Sequence, residues 1–256
     1  MTSSPPRSSS RRTDRIRRTV TVALAAVTAA ALVGVVLAQP AASPPPPPPT
    51  GTVTGKVVMF RDGRKVTDYG DVVVYIKDVK DPAGAPRSKP QIRQRNQTYS
   101  PYLTVVPVGT TIRFPNDDRV DHNVFSPLTG KDYFDLGRYR AGAGKSRTFD
   151  VVGEIDVYCD IHWQMTAKVK VLPSSLYAGP GGRTTVAADG TYRIDGVPVG
   201  RRQIVAWFPD SAEVQTRVTV VADRSVAAKD LNLHQGTPAS SHKRLDGTSY
   251  PDPDYR

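Results

Sequence analysis

The chain has 256 residues, room for one large or two small domains with tails. Its 35 Lys and Arg against 24 Asp and Glu give a net charge of +11, but the first 18 positions hold 5 of those charges. The remaining +6 is spread without a basic run, which excludes a nucleic-acid footprint, and the single Cys excludes an intramolecular disulfide and a multi-thiolate zinc or iron-sulfur site.

Residues 1–18 are rich in Ser and Arg and end in Arg15-Ile16-Arg17-Arg18, followed by an uncharged stretch over 19–38. A basic start before an apolar run is an export signal, and a run of about 20 residues is also long enough to cross a bilayer. Val36-Leu37-Ala38 before Gln39 offers small residues for cleavage, so a removed signal peptide and a retained membrane anchor over 1–38 are both allowed. The positive-inside rule keeps the Arg-rich end cytoplasmic and puts the rest in the periplasm or outside the cell. Arg11-Arg12 fits a twin-Arg signal poorly, because Thr13-Asp14-Arg15 follows it. The segment 39–50 contains six consecutive prolines and is expected to be an extended spacer.

From 51 to 234 the apolar residues come in short runs, many alternating with period two, and none sustains the 3.6-residue period of a helix. Strands are expected over 52–60, 71–78, 102–108, 111–115, 123–126, 146–151, 155–159, 166–172, 184–187, 191–194, 201–208 and 214–221. Asp62-Gly63 and Asp189-Gly190 are hairpin signals, and Gly109 and Gly137 mark further turns. Many short strands at near-regular spacing imply an all-β chain built as a sandwich or barrel with Greek-key connections.

Tyr158-Cys159-Asp160-Ile161-His162-Trp163-Gln164-Met165 sets a thiolate, an imidazole and a thioether at successive spacings of three, and His122 stands upstream in Asp121-His122-Asn123-Val124-Phe125. Two His, a Cys and a weak Met form the blue-copper donor set, in which sulfur favours Cu(I) and imidazole serves both oxidation states. Other readings stay open at this point. Cys159 can be a buried core residue, as can Met165. Cys159, His122 and His162 with a water can hold zinc, for which Met is not a ligand. A Cys-His nucleophile pair fits poorly, since it needs its base on a separate element and a third orienting group.

Residues 99–172 resemble the cupredoxins, the blue copper proteins that include plastocyanin, azurin and amicyanin. The matching elements are Pro107-Val108-Gly109-Thr110-Thr111-Ile112-Arg113-Phe114-Pro115-Asn116, then His122-Asn123-Val124-Phe125, then the Cys-x-x-His-x-x-Met loop, whose short spacing is that of amicyanin. Phe134-Asp135-Leu136-Gly137 with Cys159-Asp160-Ile161-His162 looks like the plastocyanin-like proteins of the methylamine-utilization type. The resemblance implies one type 1 copper held by His122, Cys159 and His162 with Met165 as axial ligand. It also implies that Asn123 hydrogen-bonds toward the Cys loop. Trp163, between two ligands, is expected to cap the site and to form the patch through which electrons leave by way of His162. Tyr158 points to the opposite strand face. Asp121 and Asp160 would favour Cu(II) unless Arg119 or Arg138 neutralises them.

A second resemblance joins Gly51-Thr52-Val53-Thr54-Gly55-Lys56-Val57-Val58 to Ala188-Asp189-Gly190-Thr191-Tyr192-Arg193-Ile194-Asp195-Gly196-Val197-Pro198-Val199-Gly200 and Ala206-Trp207. Both stretches look like the opening and closing strands of a carboxypeptidase-regulatory-like sandwich. The expected organisation is a cupredoxin domain over 51–174, with 51–80 assignable to either module, and a second small β-sandwich over 175–234 with Trp207 in its core. A tail over 235–256, rich in Ser, Gly, Pro and Asp, is read as disordered, with His234 and His242 solvated.

The function expected is that of an exported one-electron carrier and not an enzyme, serving a redox protein partner whose identity the sequence does not give. The alternatives are a copper-binding or delivery module, an enzyme with an open copper position, or a structural cell-surface β-sandwich protein.

Overall fold

The computed structural model describes residues 48–82, 85, 88–127, 132–236 and 242–250. The export or anchor segment 1–38 and most of the Pro-rich spacer lie outside these residues. No described helix is long and apolar enough to cross a membrane. The described elements are β-strands, so the chain is all-β.

One sandwich is assembled from both ends of the folded region. Its central strand, β1 (Thr50–Arg61), folds back through the Asp62-Gly63 turn onto β2 (Arg64–Val66). Both turn residues have positive φ, 49° and 73°, the geometry that lets a two-residue turn follow the twist of its strands. β3 (Val73–Ile76) belongs to the facing sheet. From the far end of the sequence, β14 (Thr191–Pro198) pairs antiparallel with β1, and β17 (Ser225–Ala227) and β18 (Leu231–His234) pair parallel with it. The facing sheet runs β13-β3-β15-β16, with β13 at Tyr177–Ala178, β15 at Gly200–Trp207 and β16 at Val214–Val220. Val53, Val57 and Met59 meet Val74, Ile76, Ile204 and Ala206 in the core between the sheets. The stretch 51–80, for which the sequence allowed two homes, thus contributes its strands to this sandwich.

Between β3 and β13 the chain builds a second sandwich. One sheet has the order β6-β12-β11-β8-β9: β6 (Leu103–Pro107), β8 (Phe125–Ser126), β9 (Phe134–Asp135), β11 (Gly153–Tyr158) and β12 (Thr166–Leu172). Opposite it lie β7 (Thr110–Pro115) and β10 (Gly144–Phe149). Single bridges from Gln91 to Arg113 and from Gln94 to Asn116 attach the hairpin of β4 (Arg93–Arg95) and β5 (Thr98–Ser100) beside β7. Ile112, Phe114, Phe149, Ile155, Val157 and Val169 fill this core.

Strand periodicity explains how the two sandwiches adhere. Successive strand residues face opposite ways. On β3 and β15, Val74, Ile76, Ile204 and Ala206 face their own core, while Val73, Tyr75, Val205 and Trp207 form a separate cluster with Leu103, Val105, Leu172 and Tyr177. Trp207 therefore belongs to the seam between the sandwiches and not to the C-terminal core as expected. β12 does the same from the other side: Ala167, Val169 and Val171 enter the inserted core, and Lys168 and Lys170 turn into the seam. There Lys168 pairs with Glu154, Asp156 and Asp210, at 3.0, 2.5 and 2.8 Å. Lys170 lies over the Trp207 ring and pairs with Glu213 at 3.0 Å. Burial of an ammonium group requires such partners.

The strand expected over 184–187 is reduced to a bridge from Thr184 to Ala178, and Val186 turns into the core. The one expected over 123–126 shrinks to Phe125–Ser126, and the backbone carbonyl of Asn123 accepts from the Tyr99 hydroxyl at 2.6 Å rather than from a strand.

Candidate metal centre

His122 lies on the connection leaving β7. Asn116, fully buried, fixes this connection: its amide donates to the carbonyls of Val120 (2.9 Å) and Tyr139 (3.2 Å), and its Oδ1 accepts from the Asp118 N–H at 3.0 Å. The backbone of His122 is in turn paired with that of Tyr139 in both directions. Cys159 follows the last residue of β11, where Tyr158 opposes Thr166, the first residue of β12. The chain between must turn tightly, and it does so through bonds from the Cys159 N–H to the Met165 carbonyl (3.3 Å) and from the Met165 N–H to the His162 carbonyl (3.1 Å).

These two connections bring His122, Cys159 and His162 together, with one donor atom of each within 4.8 Å of the others. The Nδ1 atoms of the two imidazoles stand 3.1 Å apart, and Cys159 Sγ is 3.9 Å from His162 Nδ1. Cys159 and His122 are fully buried. Met165 is fully buried in the same apolar cluster as Cys159.

Burial pushes the Cys159 thiol up, but hydrogen bonding from His122 and from the backbone amides of Asn123, Ile161 and His162 outweighs it and holds the thiol below its ordinary range. For His122 the cost of burial is overcome by Cys159 and Asp118, which raise it. His162 is lowered, first by burial and then by the charge of His122. A thiol poised to ionise, two imidazole nitrogens converging on one point and the buried Met165 of the same apolar cluster make a donor set that fits copper, and the Cys and His donors also suit zinc.

Asn123 bridges the two connections: its Oδ1 accepts from the Asp160 N–H at 3.2 Å and its Nδ2 donates to Asp135 at 2.7 Å. Trp163 is 51% exposed at the rim. Asp121 is exposed, and Asp160 is paired with Arg138 at 3.1 Å and Arg244 at 3.6 Å, so its charge is compensated.

Two features were not foreseen. The first is Asp118, whose Oδ2 lies 2.8 Å from His122 Nε2. Nothing in the spacing marks it, because the contact arises from how the connection after β7 curls. The second corrects the expectation of a disordered tail. Within it, 242–250 forms a turn, with the Arg244 N–H bonded to the Thr248 carbonyl, and lies against the Cys loop. His242 is accordingly not a free solvated residue. Its ring stacks on Tyr158 at 3.8 Å, and its Nε2 is 2.8 Å from the Trp163 carbonyl oxygen. His234 stacks on Phe60 with ring centroids 5.0 Å apart.

No family model and no curated protein match the sequence. Among solved structures, the chain is similar to a purple cupredoxin from Nitrosopumilus maritimus, with 28% identity, 32% of this chain and 99% of that chain covered, and a TM-score of 0.29. A Cu(I) form of an amicyanin variant matches with 22% identity over 38% of this chain and 97% of that chain, with a TM-score of 0.31. A copper-containing nitrite reductase from Thermus scotoductus SA-01 matches with 23% identity, 36% of this chain but only 25% of that chain, and a TM-score of 0.32.

Proposed function

We propose that this protein is an exported type 1 copper protein that carries single electrons, with His122, Cys159 and His162 as the strong ligands and Met165 as the weak one. The observation that carries the reading is the convergence of the two imidazoles and the thiol within 4.8 Å, with Cys159 and Met165 buried in the apolar core of the inserted sandwich. Copper bound there would supply a one-electron Cu(II)/Cu(I) couple. The protein's part is to keep the thiol ionisable, the imidazoles aimed and water out. Ile161 N–H donates to Cys159 Sγ at 3.4 Å, and Asn123 ties the two ligand-bearing connections together. Such fixed surroundings limit the rearrangement that accompanies a change of charge. Trp163, exposed beside His162, is the proposed contact edge for a redox protein partner. The wording of the sequence around Phe134 and Cys159 favours the methylamine-utilization type, and the basic-apolar start of the chain favours export with a cleaved or retained membrane segment.

The test is the visible and EPR spectrum of the full chain, prepared without metal and titrated with Cu(II), before and after ascorbate. The expected result is an intense thiolate-to-copper band saturating at one equivalent, a narrow hyperfine pattern and reversible bleaching, all lost in Cys159→Ser. A pale spectrum of ordinary tetragonal Cu(II), or zinc binding tighter than copper, would exclude the type 1 assignment.

A further inference from the structure

We infer that Asp118 is a positioning residue for the metal centre: through His122 it weights the centre toward the oxidised metal. This rests on the copper reading above. An imidazole that offers Nδ1 to a metal must carry its proton on Nε2, and what that N–H meets decides both the ring's orientation and its basicity. Here Nδ1 of His122 faces His162 and Nε2 faces Asp118 Oδ2 at 2.8 Å, with the His122 ring fully buried. An anionic acceptor pulls the Nε2 proton toward itself and makes Nδ1 a stronger donor, which favours the higher-charged Cu(II) over Cu(I).

The carboxylate is itself held from the opposite side. Its Oδ1 accepts the Asn96 N–H at 2.6 Å and its Oδ2 the Gln97 N–H at 2.8 Å. These two residues form the turn between β4 and β5, and both have positive φ, 54° and 53°. Positive φ at both positions is what a two-residue hairpin turn between twisted strands requires. In that geometry both amides of the turn meet Asp118. The backbone N–H of Asp118 also donates to Asn116 Oδ1 at 3.0 Å, which fixes the residue further. The neighbouring Asp117 points elsewhere and pairs with Arg93 at 2.6 Å.

The test compares the midpoint potentials of copper-loaded, full-length wild type, Asp118→Asn and Asp117→Asn. Asp118→Asn keeps the shape and replaces a charged acceptor with a neutral one. Loss of a partner of this kind typically changes metal affinity by tenfold or more. The Cu(II)/Cu(I) affinity ratio is therefore expected to fall about tenfold in Asp118→Asn, a rise of about 59 mV for a one-electron couple, with the blue band retained. Asp117→Asn, which removes a charge that does not touch His122, is expected to leave the ratio within twofold of wild type. A ratio within twofold in Asp118→Asn, or equal shifts in both variants, would overturn the inference. A readout that needs no variant is pulsed EPR of wild-type Cu(II) protein, where the remote nitrogens of the two imidazoles should have clearly different quadrupole couplings; equivalent nitrogens would count against the role. Failure of the wild type to show a blue site would instead remove the copper reading, which separates the two outcomes.

Discussion

The phenol of Tyr250 donates a hydrogen bond to the carbonyl oxygen of Cys159, joining the C-terminal segment to the residue that bears the only thiol in the chain. Around it, His242 stacks on Tyr158 and bonds to Trp163, and the Leu245 N–H donates to Asp160 at 2.9 Å. Most of the segment is exposed, so its hold on the Cys loop rests on these few contacts. Removing one of them weakens the closed loop by about 1 kcal/mol, a factor of about five in the equilibrium for local opening. In the metal-free, full-length protein, Tyr250→Phe is therefore expected to raise the rate of Cys159 modification by a soluble disulfide reagent about fivefold. Measured at neutral pH against wild type, an unchanged rate would show that the loop stays closed without the tail.

Asp160 follows the ligand Cys159, and its charge was expected to favour Cu(II) if uncompensated. Arg138, Arg244 and the Leu245 N–H all meet it, so little net field is left to act on the centre. Asp160→Asn is expected to leave the midpoint potential nearly as it is, while loosening the tail and raising the thiol modification rate as Tyr250→Phe does. Potentiometry of the copper-loaded variant checks the first part; a rise comparable to that of Asp118→Asn would show that the arginines do not screen it.

The separation between what the sequence discloses and what it conceals follows local against non-local determination. Cys159, His162 and Met165 are close in sequence and occupy one tight connection, so their spacing alone implies a shared end of the fold. His122 comes from another connection, the one leaving β7, yet its flanking residues carry a recognisable pattern. Most long strands were legible from alternation, as with β1 and β12, because burial of one face requires it. β12 also shows where alternation ceases to help: a lysine alternating with core residues would ordinarily face solvent, but Lys168 and Lys170 are buried because a second sandwich covers that face. The contacts of Asp118 and of 242–250 depend on distant backbone, Asn96 and Gln97 in one case and the Cys loop in the other, and no local pattern encodes them.

Met165 is fully buried beside Cys159, and its thioether is the softest neutral donor in the cluster. Replacing it with Gln keeps an unbranched side chain of similar length and presents an amide oxygen, a harder donor that favours Cu(II). Met165→Gln is expected to retain one equivalent of copper and to lower the midpoint potential, at a stability cost of about 1–3 kcal/mol for placing an amide in an apolar cluster. Copper titration and potentiometry on the same preparation check it. An unchanged potential would indicate that Met165 serves only as packing.

Glu213 gives the seam between the sandwiches a pH dependence of calculable sign. Its carboxylate accepts hydrogen bonds from Tyr75 (2.6 Å), Lys77 (2.9 Å) and Lys170 (3.0 Å). Burial pushes its pKa up, but these donors prevail and hold it down to about 2, against an ordinary 4.5. A carboxyl depressed on folding stabilises the native state above the unfolded value and loses that contribution as the pH falls through the folded one. Solvent reaches part of the side chain and screens the pairs, so the contribution at neutral pH is about 1 kcal/mol. The urea stability of wild type should therefore exceed that of Glu213→Gln by about this amount from pH 7 down to about 4.5, and the difference should close between about pH 4.5 and 2. Because the variant differs in this one ionisable group, the difference between the two curves isolates it from the other acids. Curves that stay parallel through that window would show that the three donors do not depend on the charge of Glu213.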